Sequence, residues 1–192
     1  MSYLNQKTIK NKVSFSGIAL HSGLNVNVCL APAKPNSGVI FKRVDLQENN
    51  LVYPNFMNVT NTSLNTTIEN EFGVKISTIE HLMCALFGLG IDNVIVEIDN
   101  EEVPILDGSA KLFIEKIISA GIHVSNEPIK IIKIKKEIEY SEGNRFISIK
   151  PSTLSLNIDF ELDYKNTIIG NQRNKVKVYE DDLTDIYNSR TF

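Results

Sequence analysis

Apolar side chains recur at helical intervals in two places along this chain and alternate with polar ones through most of the rest. In Ile76 to Asn93, ISTIEHLMCALFGLGIDN, residues Ile79, Leu82, Met83, Leu86 and Phe87 fall on one helical face. Ser77 followed by Glu80 has the S-x-x-E spacing of a capping box, which predicts a helix starting at Ser77. Gly88 and Gly90 can leave the helix through the left-handed region, so it should run for about three turns. A second helical pattern covers Lys111 to Ala120, with Leu112, Phe113, Ile114, Ile117 and Ile118 as its apolar residues. Asp107 or Ser109 is available to cap it.

Strand patterns surround these helices. TIKNKVSFSGIAL, NVNVCLAPA and GVIFKRV precede the first, separated by the turn chemistry of HSG and KPNSG, and the β-branched run VIVEID follows it. Gln47 to Asn70 is a polar interval rich in Asn and Thr, whose piece NTSLNTTI leads back toward the first helix. Leu82, Leu86, Val94, Val96, Leu112 and Ile117 should share one core. Ser125-Asn126-Glu127-Pro128 reads as a boundary, after which IKIIKIKKEIEY, NRFISIKP and LSLNIDFELDY resume the strand pattern and Glu180-Asp181-Asp182 offers a helix start before DIYNSRTF. The expected fold class is α+β: a first domain at 1–125 carrying the Glu-His helix, and a second of similar type at 126–192, truncated, each with a sheet covered by helices.

Composition narrows the class. With 192 residues, 42% hydrophobic, 22% charged and a net charge of −3, the chain can bury a sizeable core and carries no electrostatic footprint for nucleic acid. The lysines of IKIIKIKK read as the solvent face of a strand. No apolar run approaches a membrane span and MSYLNQKTIKNK lacks the apolar centre of a signal peptide, so the expectation is a cytoplasmic protein without stable membrane insertion. Cys29 and Cys84 lie far apart among apolar neighbours, as buried thiols do in a reducing compartment, and predict neither a disulfide nor a cysteine zinc site.

Candidate chemistry concentrates in Glu80-His81. The unpaired N–H groups of a first helical turn favour a neutral imidazole, the form that ligates metal, and an ionised carboxylate beside it. Such a pair offers one metal ligand and one acceptor for a proton of attacking water. By spacing alone the simpler reading is that Glu80 closes the capping box and His81 is structural, because the second His of H-E-x-x-H is missing. His21, in the turn ALHSG, and His123, after the second helix, carry no assigned role.

The longer text changes the balance. STIEHL-x-x-AL-x-GLGIDN followed by a strand and E-x-PILDGSA (Glu102 to Ala110), together with SFSGIALHSG, APA and GVIFKRVDL, AGI (Ala120 to Ile122), NQR (Asn171 to Arg173) and SRTF, resembles the zinc-dependent UDP-3-O-acyl-N-acetylglucosamine deacetylases of lipid A biosynthesis along essentially the whole chain. The resemblance implies a hydrolase that removes acetate from a UDP-linked acylated N-acetylglucosamine, with Zn2+ as cofactor. It implies His81 as a metal ligand, Glu80 as the catalytic base, Thr191 as donor to the developing oxyanion, and Leu64, Asn65 and Phe192 as substrate contacts. The family's other ligands come from an H-K-x-x-D segment beyond SRTF, and no His follows His123. The expectation is therefore a first domain and about half of a second, inactive alone, from an enzyme that is a monomer when complete. A non-catalytic descendant that binds sugar nucleotide or acyl chain is the alternative, and a purely structural module in which Glu80 only caps its helix is a third reading. An H-K-x-x-D segment following in frame separates the enzyme from both.

Overall fold

The alternating stretches of the first half fold into short strands: β1 (Asn5–Ile9), β2 (Val13–Ile18), β3 (Asn25–Pro32), β4 (Val39–Arg43), β5 (Leu51–Val52), β6 (Val59–Asn61), β7 (Thr67–Glu69) and β8 (Lys75–Ile76). Helix α1 (Glu80–Leu89), β9 (Val94–Ile98), helix α2 (Lys111–Ala120) and β10 (Ile122–Pro128) follow. The structure, a computed structural model, describes residues 4–151, 157–166, 168–178 and 180–191. It is mixed α+β, with few helices and several sheets, and divides into the units Met1–Ile129 with Asp185–Phe192, and Lys130–Thr184.

In the first unit the main sheet has the order β2-β3-β9-β4-β5, with β9 antiparallel to β3 and parallel to β4. Register explains its inner face. Val96 lies opposite Leu30 on one side and Phe41 on the other, and Ile98 opposite Val28 and Arg43, so the same-parity residues of three strands form adjoining rows. These apolar side chains are buried with Leu82, Ala85 and Leu86 of α1 and Phe113, Ile117 and Ala120 of α2 in one core. The Phe113 ring meets Phe15 of β2 edge-on at 5.5 Å, which ties α2 to the sheet. A three-stranded sheet, β6-β7-β8, adds Ile68 and Ile76 to the same core, and β1 pairs with β10.

Most of the expected core is in place. Leu82, Leu86, Val94, Val96 and Ile117 are buried, whereas Leu112 is half-buried because α2 turns the Phe113–Ile117–Ala120 stripe inward and Leu112 stands about 100° round from Phe113. Helix α2 has the expected range, but its N-cap is Ala110 without a side-chain cap. Ser109 Oγ nevertheless accepts from Lys111 N at 3.2 Å and donates to Asp107. Two details correct the strand reading. TIKNKVSFSGIAL breaks into β1 and β2, and IKIIKIKK forms no strand. Ser125 to Pro128, read as a boundary, belongs to β10, where Pro128 pairs with Asn5.

The second unit holds two antiparallel pairs, β11 (Ile138–Glu142) with β12 (Arg145–Ile149) and β13 (Asn157–Asp163) with β14 (Asn171–Lys177). Gly143, at φ 61°, supplies the left-handed residue that the tight turn between β11 and β12 requires. None of its described residues is buried. Helix α3 (Thr184–Asn188) follows, and the ring of Tyr187 lies where a Cβ on Gly88 of α1 would stand, so only glycine permits this approach.

Candidate functional site at the start of helix α1

The helix that carries Glu80 and His81 does not begin as a capping box. Its first residue is Glu80, its N-cap is Ile79, and no side chain caps it. Ser77 is instead held as a strand extension: its N–H donates to Glu101 O at 2.7 Å and its C=O accepts from Val103 N at 3.1 Å. Between strand and helix the chain turns sharply at Thr78, whose φ of 55° puts a β-branched residue in the left-handed region. Such a conformation costs about 1–3 kcal/mol and persists only where the surroundings impose it. At the other end Gly90, at φ 67°, returns its N–H to Leu86 and Phe87 and stops the helix, while Gly88 is an ordinary helical residue.

Freed from capping, the Glu80 carboxylate reaches across to the polar interval, where Oε1 accepts from the backbone N–H of Thr66. Asn65, next to it, donates from Nδ2 to Thr78 Oγ1 at 3.2 Å and accepts from Thr67 Oγ1 at 3.1 Å. Leu64 is also left-handed, at φ 65°, and is 93% exposed, an apolar side chain presented to solvent by a strained backbone. Asn65, Ser77, Glu101, Lys75 and His21 line a polar cleft of about 410 Å³. Glu80 and His81 are not in its lining, but Asn65 belongs to the cleft wall and its neighbour Thr66 holds Glu80, so the two features adjoin through one peptide.

The polar scaffold beneath this region was not legible from motif spacing. Arg43, buried on β4, forms a bidentate pair with Asp45 at 2.6 and 2.8 Å, and its guanidinium also donates to Lys75 O at 3.2 Å and lies 3.6 Å from Glu101. The hydrogen bonds that Arg43 donates to Asp45 raise the Arg43 pKa above its ordinary value and lower that of Asp45. Glu102 is 3% exposed and accepts three hydrogen bonds: from His21 N at 2.9 Å, Ser22 N at 2.9 Å and Thr78 Oγ1 at 3.0 Å. Burial pushes its carboxyl up, and the donors of His21, Ser22 and Thr78 together outweigh this and leave it below the usual range. A charged residue directly preceding the apolar run VPIL was the available signal for it.

Among the residues the resemblance pointed to, Glu80 and Asn65 are brought together through Thr66 and Thr78. His81 follows on the first turn of α1 and is half-buried. Thr191 is anchored on another loop, its N–H donating to Gly108 O at 2.9 Å, with Arg190 3.7 Å from Asp107. Phe192 lies outside the described residues. A catalytic zinc takes three protein ligands. Among the described residues no group of three or more His, Cys, Asp or Glu side chains is placed to hold a metal, so the donors present, His81 foremost, do not by themselves fit a zinc site.

These features define an α+β protein with a polar cleft beside a helix that opens on an adjacent Glu-His pair. Residues 6–192 match the family LpxC: UDP-3-O-acyl N-acetylglycosamine deacetylase, and the chain belongs to that family. It is 41% identical over 192 residues to the UDP-3-O-acyl-N-acetylglucosamine deacetylase of Pseudoalteromonas atlantica, covering 98% of this chain and 63% of that protein. The deacetylase of the same name from Histophilus somni is 42% identical over 87% of this chain and 54% of its own length, and that of Nautilia profundicola 43% over 88% and 57%. The chain thus spans little more than half the length of the curated relatives it matches.

Proposed function

We propose that this chain is the part of a UDP-3-O-acyl-N-acetylglucosamine deacetylase that supplies the catalytic base, in an enzyme that hydrolyses the acetamide of a UDP-linked acylated glucosamine during lipid A synthesis and releases acetate. In this reading the Lys130–Thr184 unit belongs to a second domain of the same α+β type, and the enzyme works in the cytoplasm. The observation that carries the reading is the position of Glu80. Its carboxylate is exposed at the head of α1, steadied through one oxygen by Thr66 N, beside a cleft of polar side chains suited to a sugar.

Hydrolysis of an amide needs a proton acceptor for the attacking water, a proton donor for the leaving amine and a donor for the oxyanion. Glu80 takes the water proton on the oxygen that its tether to Thr66 leaves free and, once protonated, can return that proton to the departing amine nitrogen. Thr191 donates to the oxyanion through its hydroxyl, since its backbone N–H is engaged by Gly108. Asn65 and Leu64 meet the substrate from the polar interval, and Phe192 packs against the sugar. His81 would serve as one ligand of Zn2+, with the remaining ligands outside this chain, and the bound metal would supply Lewis acidity. No helix among the described residues is long and apolar enough to cross a membrane.

The test is Glu80→Gln in the complete protein encoded by the gene, assayed by acetate release from the UDP-linked substrate. The amide keeps the size of the side chain and an acceptor for Thr66 N but cannot take a proton, so kcat should fall by about 10²-fold or more while the fold is retained. Turnover within a few-fold of wild type would remove Glu80 from the chemistry.

A further inference from the structure

Glu102 has no part in the reaction above, yet it is the most deeply buried carboxylate of the first unit's polar scaffold, and three hydrogen bonds from two separate segments end on it. We propose that Glu102 is a positioning residue: its carboxylate holds Thr78 and the His21-Ser22 turn in place, and through Thr78 and Asn65 it sets where Thr66 meets Glu80. The proposal rests on the deacetylase reading only for its kinetic consequence.

Proton counting shows why a carboxylate is required. Its Oε1 accepts from both His21 N and Thr78 Oγ1, and its Oε2 accepts from Ser22 N, so both oxygens must be acceptors at once. An amide has one acceptor and one donor end and must oppose a backbone N–H with an NH2 group. The Thr78 hydroxyl has a single hydrogen. Because Glu102 can only accept, that hydrogen points to it, and the lone pairs of Thr78 Oγ1 are left for the amide of Asn65, which donates at 3.2 Å. The direction of each hydrogen bond from Glu102 to Asn65 is thereby fixed.

Geometry gives the linkage its consequence. Thr78 stands at a left-handed φ of 55° one residue before the N-cap of α1, where relaxation would rotate the start of the helix and carry Glu80 with it. Asn65 is covalently joined to Thr66, the donor to Glu80. Both ends of the Glu80–Thr66 contact are therefore held from Glu102, one through the turn at Thr78 and the other through the Asn65 side chain. His21, gripped by its backbone on the same carboxylate, lines the same cleft as Asn65. Placement errors of about 1 Å in a catalytic group cost on the order of 10²-fold in rate, so such a linkage acts mainly on kcat.

The experiment compares Glu102→Gln, Thr78→Val and Thr78→Ser in the complete protein, by the 15N–1H resonance of the Thr66 amide and by steady-state acetate release. The expected result is that Glu102→Gln and Thr78→Val both move the Thr66 amide proton away from its hydrogen-bonded position. Both should lower kcat about 10- to 100-fold with KM changed less than about threefold, and the double variant should be no worse than either single one. Thr78→Ser, which keeps the hydroxyl, should restore most of what Thr78→Val loses. An unmoved Thr66 resonance in a folded Glu102→Gln, or multiplicative losses in the double variant, would overturn the proposal. If Glu102→Gln does not fold, the Thr78 pair decides the same linkage. If the wild-type protein releases no acetate, the deacetylase reading fails while the Thr66 resonance still decides whether Glu102 positions this loop.

Discussion

The two units of this chain use the same strand pattern to opposite ends. In the first, alternation along β3 and β9 turns Val26, Val28, Leu30, Val94, Val96 and Ile98 onto one face, and two amphipathic helices join them in a single core. In Lys130–Thr184, comparable residues are paired strand to strand but remain open: Phe146 is 76% exposed, Ile147 70% and Phe160 56%. Backbone pairing is equally regular in both, with seven consecutive residue pairs between β13 and β14. Pairing satisfies the backbone, but it is the covering layer that removes apolar surface from water, and a two-stranded pair without one is marginal. What distinguishes the regions is therefore the presence of helices whose apolar stripes match a sheet face.

The sharpest test of that contrast is truncation of one phenylalanine in each unit. Phe113→Ala should destabilise the first unit by about 3–5 kcal/mol, since it removes a fully buried ring and leaves a cavity. Phe146→Ala, on an open strand, should stay within about 0.5 kcal/mol. Urea unfolding of each variant of the 192-residue chain measures both. Equal effects would mean that the hairpin face is as well covered as the core.

A smaller difference should appear in acid. Glu102 and Asp45 both titrate below their ordinary values in the folded first unit. For a depressed carboxylate the stabilisation is complete above the unfolded value of about 4 and is lost as pH falls through the lower folded value. The first unit should thus hold its unfolding midpoint from neutral pH down to about 5 and lose it progressively below 4. In Glu102→Gln this acid loss should shrink, because the group that must take up a proton is gone. Thermal unfolding of both proteins across this range reads the effect, and identical acid profiles would show that Glu102 contributes none of it.

Legibility followed the same division. Periodicity was enough for α2, for most of the core and for the existence of α1, because these depend on which residues face a shared interior. It failed at the start of α1, where S-x-x-E suggested a local cap while Ser77 was recruited by Glu101 and Val103, and Glu80 by Thr66. The competitor was long-range backbone pairing, which no local spacing reveals. Glu80, His81 and Asn65 were given roles from the sequence, whereas Thr78, Thr66 and Glu102 were given none, since their importance lies in contacts between residues 13 to 81 positions apart. Ser125 to Pro128, read as a boundary, pairs with β1, a contact that local composition does not reveal.

Salt provides the finest distinction between the units. Asp159 on β13 is also held far below its usual range, first by its hydrogen bond with Arg173 on β14, 2.6 Å away, with Lys175 at 3.2 Å adding to it. This cluster is on the exposed surface, whereas the donors to Glu102 are two backbone N–H groups and a hydroxyl in a buried pocket. Exposed ion pairs are screened within a Debye length that shrinks from about 10 Å at 0.1 M salt to about 3 Å at 1 M, while hydrogen bonds from neutral donors carry no net charge to screen. Raising the salt to about 1 M should therefore move the Asp159 titration back toward an ordinary aspartate and leave that of Glu102 nearly in place. Carboxyl 13C chemical shifts followed through an acid titration at the two salt concentrations separate the cases. A parallel shift of both carboxylates would mean that net charge, and not the neutral donors of His21, Ser22 and Thr78, sets the state of Glu102.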